Sequence, residues 1–351
     1  MQLDDKKWKE FNLIGNDLFY IDLVKTLKST SIVGETGIHD VVGATSKNNG
    51  NIGFLDYKYN DLLCNGNCIC LIKTGEGSVG EAVYKQNDFI PSNNVCVIRN
   101  KYLNKYNALF IVNEINKQSD RYNYGYIRNN ARIHQEKIML PINAEAAPDY
   151  EFMEKYIKNI LFEQISILKE YCINSISSIN NQDIPKLPEK NWRVFNVSNI
   201  FSSIKRGKRL KKGDHKSGNV PYVSSTMMNN GVDNFICNRE GKRFNNCITI
   251  ANSGSVGASF YHQYEFIGSD HITTFKNDRF NKYIYLFLTT VVSRIGDKYS
   301  FNREINDFRI SKEKILLPVD KDDNPDYEYM EQYIKNIMFE QYSRYLQFLE
   351  D

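Results

Sequence analysis

One stretch of this chain occurs twice. Residues 136–164 read EKIMLPINAEAAPDYEFMEKYIKNILFEQ, and residues 313–341 read EKILLPVDKDDNPDYEYMEQYIKNIMFEQ. They match at 19 of 29 positions, without a gap, at an offset of 177 residues. A period this long is no solenoid repeat, whose units run to about 20–50 residues. It predicts a whole domain used twice, each copy closed by the same strand, turn and helix. At 351 residues the chain is long enough for two ordinary cores.

The copies align along their length. Each opens on W-x2-F, with Trp8, Phe11, Ile14 and Phe19 in one and Trp192, Phe195, Ile200 and Phe201 in the other. Core positions of an opening strand and turn explain these residues. A strand then runs into a polar loop ending in Asn-Asn-Gly, at residues 39–50 and 220–231. Asn-Asn-Gly adopts positive φ readily, so a tight turn is predicted. The small polar residues before it would sit on a loop tip, where binding groups collect. Next comes a shared G-S-V-G, at residues 77–80 and 254–257, between β-rich runs. A phosphate loop needs G-x4-G-K-[ST] leading into a helix. Neither that lysine nor a helix is there, so a glycine hairpin is the better reading, with a backbone that a ligand can approach closely. Phe89–Asn94 pairs with Phe266–His271, and a helical segment follows, at residues 106–118 and 283–295. Each ends in a loop rich in Tyr, Asn and Arg, residue types that reach phosphates and base edges.

Asp149 and Asp326, each after a proline, are predicted N-caps of the closing helices. Met153, Ile157, Ile160, Gln164, Ile167 and Tyr171 step by four and three in the first. Met330, Ile334, Ile337, Gln341, Arg344 and Phe348 do so in the second. This narrow seam suits pairing with one other helix, and about 30 residues make a rod of roughly 45 Å. Gln164 and Gln341 occupy matching seam positions, either as a buried register-setting pair or half-exposed. The expected division is residues 1–148, first domain; 149–182, first helix; 183–190, a proline-bearing linker; 191–325, second domain; and 326–351, second helix.

The basic run Lys205, Arg206, Lys208, Arg209, Lys211, Lys212 and Lys216 places seven positive charges in twelve residues, in a chain of net charge +3. It reads either as a solvated loop or as a phosphate-tracking patch, the latter preferred. The first copy has only Lys25 and Lys28 there. No catalytic constellation is present. Asn324-Pro325-Asp326-Tyr327 resembles an amino-methyltransferase motif, but the first copy has Ala147 in place of the asparagine. No acidic-x-Lys triplet follows Asp149 before the linker, nor does one follow Asp326, as a metal-dependent nuclease would require. The five histidines lack metal spacing, and no serine sits on a nucleophile elbow. Cys64, Cys68 and Cys70 lack a nearby fourth ligand and alternate like a strand, so buried thiols are expected rather than a metal. Seven cysteines at irregular spacing, a charged N-terminus and no run of about 18 apolar residues lead to the expectation of a reduced, cytoplasmic setting without a membrane span.

In the order of these motifs, twice over, the chain resembles the specificity subunits of type I restriction-modification systems and the related type IIB subunits. The resemblance rests on W-x2-F, N-N-G, G-S-V-G and I-x-L-P before P-D-Y-E-[FY]-M-E. It implies an α+β fold: two tandem β-rich target-recognition domains, each followed by a long helix, the helices pairing antiparallel about a pseudo-twofold axis. It implies a non-catalytic subunit that reads a bipartite sequence in double-stranded DNA, one half per domain. The helices would set the spacer and dock methyltransferase subunits of a DNA adenine methyltransferase or restriction complex, with a restriction subunit as a further partner. S-adenosylmethionine would belong to those partners, and this chain would need no cofactor or metal. The alternatives are a self-sufficient DNA methyltransferase or nuclease, and a protein-interaction scaffold that never touches DNA.

Residue chemistry then selects the candidates. For bases in the first domain these are Thr45, Ser46, Lys47, Asn48, Lys73, Asn93, Asn94, Arg121 and Arg128. In the second they are Ser224, Ser225, Thr226, Asn252, Asp270, His271, Lys298, Asn302 and Arg303. For phosphates they are Arg206, Lys208, Arg209, Lys211 and Lys212.

Overall fold

A computed structural model of the chain describes residues 3–15, 18–75, 77–123, 125–299 and 304–350. It divides into two compact units, Met1–Ile167 and Leu168–Asp351. The strands of the first are β1 (Trp8–Asn12), β2 (Tyr20–Asp22), β3 (His39–Val42), β4 (Asn51–Leu55), β5 (Cys68–Ile72), β6 (Ala82–Lys85), β7 (Ile90–Pro91), β8 (Val95–Arg99) and β9 (Lys137–Pro141). They form three sheets, ordered β1-β9, β2-β8-β5-β6 and β4-β3-β7. Helices α1 (Lys105–Asn116) and α2 (Asn130–Gln135) precede β9, and the long helix α3 (Tyr150–Ser178) follows it.

The second domain repeats the plan. Its strands are β10 (Trp192–Asn196), β11 (Ser203–Arg206), β12 (Ser217–Val223), β13 (Val232–Ile236), β14 (Arg243–Phe244), β15 (Cys247–Ala251), β16 (Ser259–His262), β17 (Phe266–Gly268), β18 (Ile272–Lys276) and β19 (Lys314–Pro318). The sheet orders are β10-β19, β11-β18-β15-β16 and β13-β12-β17-β14. Its helices are α4 (Val197–Ile200), α5 (Lys282–Ser293), α6 (Asp307–Ile310) and α7 (Tyr327–Phe348). Strand β14 is an addition; the first domain has only a bridge from Cys64 to Phe89 at that edge.

The sequence explains these elements. The uninterrupted apolar runs CICLI and CITIA become β5 and β15, each buried along its whole length and paired on both sides. Cys64, Cys68 and Cys70 are buried in an apolar cluster with Val83 and Phe89. Asn104 caps α1 by accepting from the N–H groups of Tyr106 and Asn107, and Asn281 caps α5 in the same way.

The entry to the long helix is built identically in both domains. Asp149 accepts from the Phe152 N–H at 2.9 Å, and Asp326 from that of Tyr329 at 2.9 Å. Lys6 Nζ reaches Asp149 at 2.6 Å and Lys190 Nζ reaches Asp326 at 2.7 Å. The opening tryptophans seal the joint, donating from Nε1 to the carbonyls of Leu3 and Leu187. Burial raises the Asp149 pKa, but the Lys6 and Phe152 hydrogen bonds outweigh it and hold it below the ordinary range.

Each domain has its own core. Ile69, Leu71, Ile98, Ile111 and Ile138 centre one, and Ile248, Ile250, Phe275, Leu288 and Ile315 the other. Here the helical seam needs correction. Met153 is buried in the first core with Ile157 packed against it, and Met330 and Ile334 do the same in the second. Their 3–4 spacing serves each helix's own domain. Ile160, Ile167, Tyr171, Ile337 and Phe348 are exposed, as are Gln164 and Gln341, so no buried glutamine pair sets a register. Within the second unit the end of α3 meets α7 through Tyr171, a seam position, and through groups outside the seam. The Tyr171 and Tyr342 rings pack edge-on at 5.8 Å between centroids. Gln332 donates to the Asn180 carbonyl and Asn336 to that of Gln182. From Tyr171–Tyr342 to Asn180–Gln332 the numbers rise along one partner as they fall along the other, so the helices run antiparallel here, and beyond α3 the chain turns back to reach Asn336. The unit boundary therefore falls inside α3 and not at the linker 183–190.

Candidate nucleic-acid interface

Three loops converge in the first domain. The 43–50 tip follows β3, the glycine loop joins β5 to β6, and the Ser92–Asn94 turn joins β7 to β8. The Ser78 hydroxyl donates to the Ala44 carbonyl at 3.0 Å, and a Cβ on Gly75 would stand 2.8 Å from that of Ala44. Only glycine permits this approach, at a φ of +133°. Thr74 Oγ1 donates to Asn94 Oδ1 at 2.9 Å. Ser92, fully buried, donates its N–H to Val42 O and accepts that of Asn94 on its hydroxyl.

The second domain repeats the convergence with residues 224–231, 252–257 and 269–271. The Ser255 N–H donates to the Ser225 carbonyl and that of Ser269 to Val223 O. The Ser269 hydroxyl donates to Ser224 Oγ at 3.2 Å and accepts from the His271 N–H at 3.1 Å. His271, 48% exposed, is held by Ser253, whose Oγ lies 2.7 Å from Nδ1. The glycine loop is a hairpin turn in both copies, and it lies against the tip because small residues let two backbones touch.

The candidates divide on this platform. Lys47, Asn48, Asn93 and Arg121 are exposed, while Thr45, Ser46, Lys73 and Asn94 are half-buried. Arg121 closes the Ser119–Arg121 turn beside Gly80, where an added Cβ would meet Ser119 O at 2.7 Å. Ser224, Ser225, Thr226 and Asp270 are half-buried. Asn302 and Arg303 lie outside the described residues.

Three base-reading candidates have other work. Arg128 is fully buried; its Nε donates to Glu136 at 2.9 Å, Nη2 donates to the same carboxylate, and Nη1 donates to Glu81 O at 3.0 Å. Asn252 is fully buried, donating to Asp270 O at 3.3 Å and accepting from Thr273 at 2.8 Å. Lys298 is paired with Glu313 at 2.8 Å. Arg128 and Asn252 brace loops, because their polar atoms are already spent inside the domain, while Lys298 is tied to Glu313 at the surface.

The basic run borders the second platform. Arg206 Nε donates to Asp270 O at 2.6 Å, so this arginine positions the 269–271 turn. The Lys208 N–H donates to Gly268 O. Beyond it Lys208, Arg209, Lys211 and Lys212 are exposed, and none forms an ion pair with another described residue. Four unneutralised cations beside a polar platform favour a polyanion. No group of three His, Cys, Asp or Glu among the described residues is arranged to hold a metal, and no helix among them is long and apolar enough to cross a membrane.

Residue-type reasoning passed over Met227 and Met228, exposed at the second tip by 69% and 58%. It also passed over Ser92, Ser253 and Ser269. The aligned tips T-x-x-N-N-G mark the methionines, and the aligned F-I-x-S segments mark Ser92 and Ser269.

The model of the type I restriction modification DNA specificity domain matches residues 5–170 and 189–346. The chain is 33% identical over 243 residues to the specificity subunit S.BcgI of a type II restriction enzyme from Heyndrickxia coagulans, covering 69% of each chain. Its fold is similar to that of a type I restriction-modification S subunit from M. genitalium. That likeness has a TM-score of 0.52 at 14% identity, and covers 100% of this chain and 94% of the other.

Proposed function

The chain belongs to the family of type I restriction-modification DNA specificity domains, carrying that domain twice, and from this membership we propose that it is the DNA-reading subunit of a modification complex. It reads a bipartite target in double-stranded DNA, one half with each three-loop platform. It directs methyltransferase subunits, and in a restriction system an endonuclease subunit, to that site. The S.BcgI relative, named as a subunit of a type II restriction enzyme, supports a type IIB assembly beside a type I one. The long helices are the proposed docking elements for these partners. The chain supplies no catalytic group; adenine methylation and S-adenosylmethionine belong to the partner, and the complex works in the cytoplasm.

One observation carries this reading: the same platform is built twice while its outward residues differ. Identical supports with unlike tips are what two different half-sites require, since phosphate contacts set register and base edges carry the sequence. On the first platform Lys47, Asn48, Asn93 and Arg121 are the groups assigned to bases. On the second they are Thr226 and His271, with Lys208, Arg209, Lys211 and Lys212 on phosphates.

The test is the methylated motif in DNA from cells carrying this chain with its partner methyltransferase. Two short half-sites separated by a fixed spacer are expected; one continuous motif overturns the proposal. The chain alone, incubated with DNA, magnesium and S-adenosylmethionine, should give no turnover.

A further inference from the structure

The two platforms present the same tip. Residues 45–50 read T-S-K-N-N-G and residues 226–231 read T-M-M-N-N-G. In each, the threonine Oγ1 accepts the N–H two residues on, from Lys47 at 3.1 Å and from Met228 at 3.1 Å. In each, two asparagines stand at positive φ, 49° and 52° in the first and 50° and 53° in the second, and the glycine follows at 79°. Six positions thus share one backbone, and only two of them differ in side chain. The first tip offers Ser46 and Lys47; the second offers Met227 and Met228.

An adjacent pair of methionines exposed by 69% and 58% gains from leaving water only against an apolar partner. That partner must also tolerate the uncompensated cations of the neighbouring basic run, which Arg206 ties to the same platform. Duplex DNA meets both conditions. Its phosphates answer the lysines and arginines, and its major groove offers one apolar feature, the 5-methyl group of thymine. Methionine suits this contact because its unbranched thioether chain adapts to shape.

We propose that positions 46–47 and 227–228 are the specificity determinants of the two tips, and that Met227 and Met228 contact thymine 5-methyl groups in the half-site of the second domain. Ser46 and Lys47 read the other half-site by hydrogen bonds. This rests on the DNA-reading function proposed above and adds which residues discriminate, and by what chemistry.

The test uses the full chain assembled with its methyltransferase partner. The methylated motif is mapped for the wild type, for Met227→Ser with Met228→Lys, and for Ser46→Met with Lys47→Met. Each exchange gives one tip the residues that the other already carries on the same backbone. The expected result is that each variant alters one half-site, a different one in each case, and leaves the other intact. Duplexes with deoxyuridine for thymine in the half-site of the second domain should then bind the wild-type complex roughly fourfold more weakly per methyl contacted. Met227→Leu with Met228→Leu should keep that discrimination, and the serine–lysine exchange should lose it. An unchanged motif, a second half-site without thymine on either strand, or equal binding of thymine and uracil duplexes each overturns the proposal. If an exchanged complex does not assemble, the uracil duplexes with wild-type and leucine forms decide alone. A wild-type complex that methylates no bipartite motif sinks the DNA-reading function instead, which is a separate failure.

Discussion

The two domains lock the same loop by different means. Beneath the first glycine loop, Arg128 is buried against Glu136, braces the Glu81 carbonyl and lies under the Tyr122 ring. Beneath the second, Ile305 occupies the matching place, also fully buried. Glu313, which matches Glu136, accepts from Tyr299 at 2.6 Å as Glu136 does from Tyr122 at 3.2 Å, and it takes Lys298 from the surface at 2.8 Å. The backbone link is the same in both: Arg128 N–H to Lys73 O at 3.1 Å, and Ile305 N–H to Asn252 O at 3.3 Å. The main-chain joint is therefore the constant part, while an ion pair and an aliphatic side chain are exchangeable fillings. A buried pair and a well-packed apolar replacement are often close in stability, whereas half a pair is not.

The variant that separates the two fillings most clearly is Arg128→Ala. It strands Glu136 in the core and should cost about 3–5 kcal/mol, read by denaturant unfolding of the first domain. Arg128→Ile with Glu136→Gln, closer to the second domain's filling, should recover most of that loss. A cost for the alanine variant below about 1 kcal/mol would show that the ion pair does not hold the loop.

The next test asks whether the shared backbone is equally strict in both copies. A Cβ on Gly80, at a φ of +92°, would meet Ser119 O at 2.7 Å, and one on Gly257, at +89°, would meet the Gly296 Cα at 2.6 Å. Alanine at either should cost about 1–3 kcal/mol. The same unfolding measurement checks whether the two costs are alike.

A smaller effect separates the charged faces. Lys208→Ala and Lys211→Ala should each lower the slope of log affinity against log salt by about 1, whatever the DNA sequence. Lys25→Ala, in a first domain without the dense run and already 3.9 Å from Asp61, should lower it less. Equal losses would mean that the domains share the phosphate contacts evenly.

The smallest effect is the acid dependence of the second joint. Burial would raise the Glu313 pKa, but the hydrogen bonds from Lys298 and Tyr299 outweigh it and hold the carboxyl below its ordinary value. Its stabilising contribution is complete above the unfolded carboxylate pKa of about 4.3, and it is lost as pH falls through the lower folded value. Glu313→Gln should remove that part of the acid sensitivity at a cost near 1 kcal/mol, since Lys298 is largely solvated. Acid unfolding curves of variant and parent that differ by a constant offset would break this assignment.

Much of the molecule was legible beforehand, and for a physical reason. The 177-residue offset survives into the fold because identical cap, turn and strand residues impose identical local geometry. The buried strands, the asparagine turns and the aspartate caps are all local, set by a few neighbouring residues and the backbone they favour. The helical seam held at Tyr171 and was misassigned at its first positions, because spacing shows that a helix has an apolar face but not what covers it. Met153 and Met330 found their own domains first.

The same limit divides the binding residues. Residue type told that Arg128, Asn252, Arg206 and Lys298 can hydrogen-bond; the folded chain shows that buried partners occupy Arg128 and Asn252, that Asp270 O holds Arg206 Nε, and that Glu313 holds Lys298 at the surface. It likewise brought Ser92 and Ser269 beneath the tips and left Met227 and Met228 facing water, against the ordinary preference of that side chain. Repetition and local geometry are written along the chain, so the doubled domain and the position of its loops could be read from the residues. Whether a polar group is free for a ligand depends on atoms distant in sequence, and folding alone brings those to it.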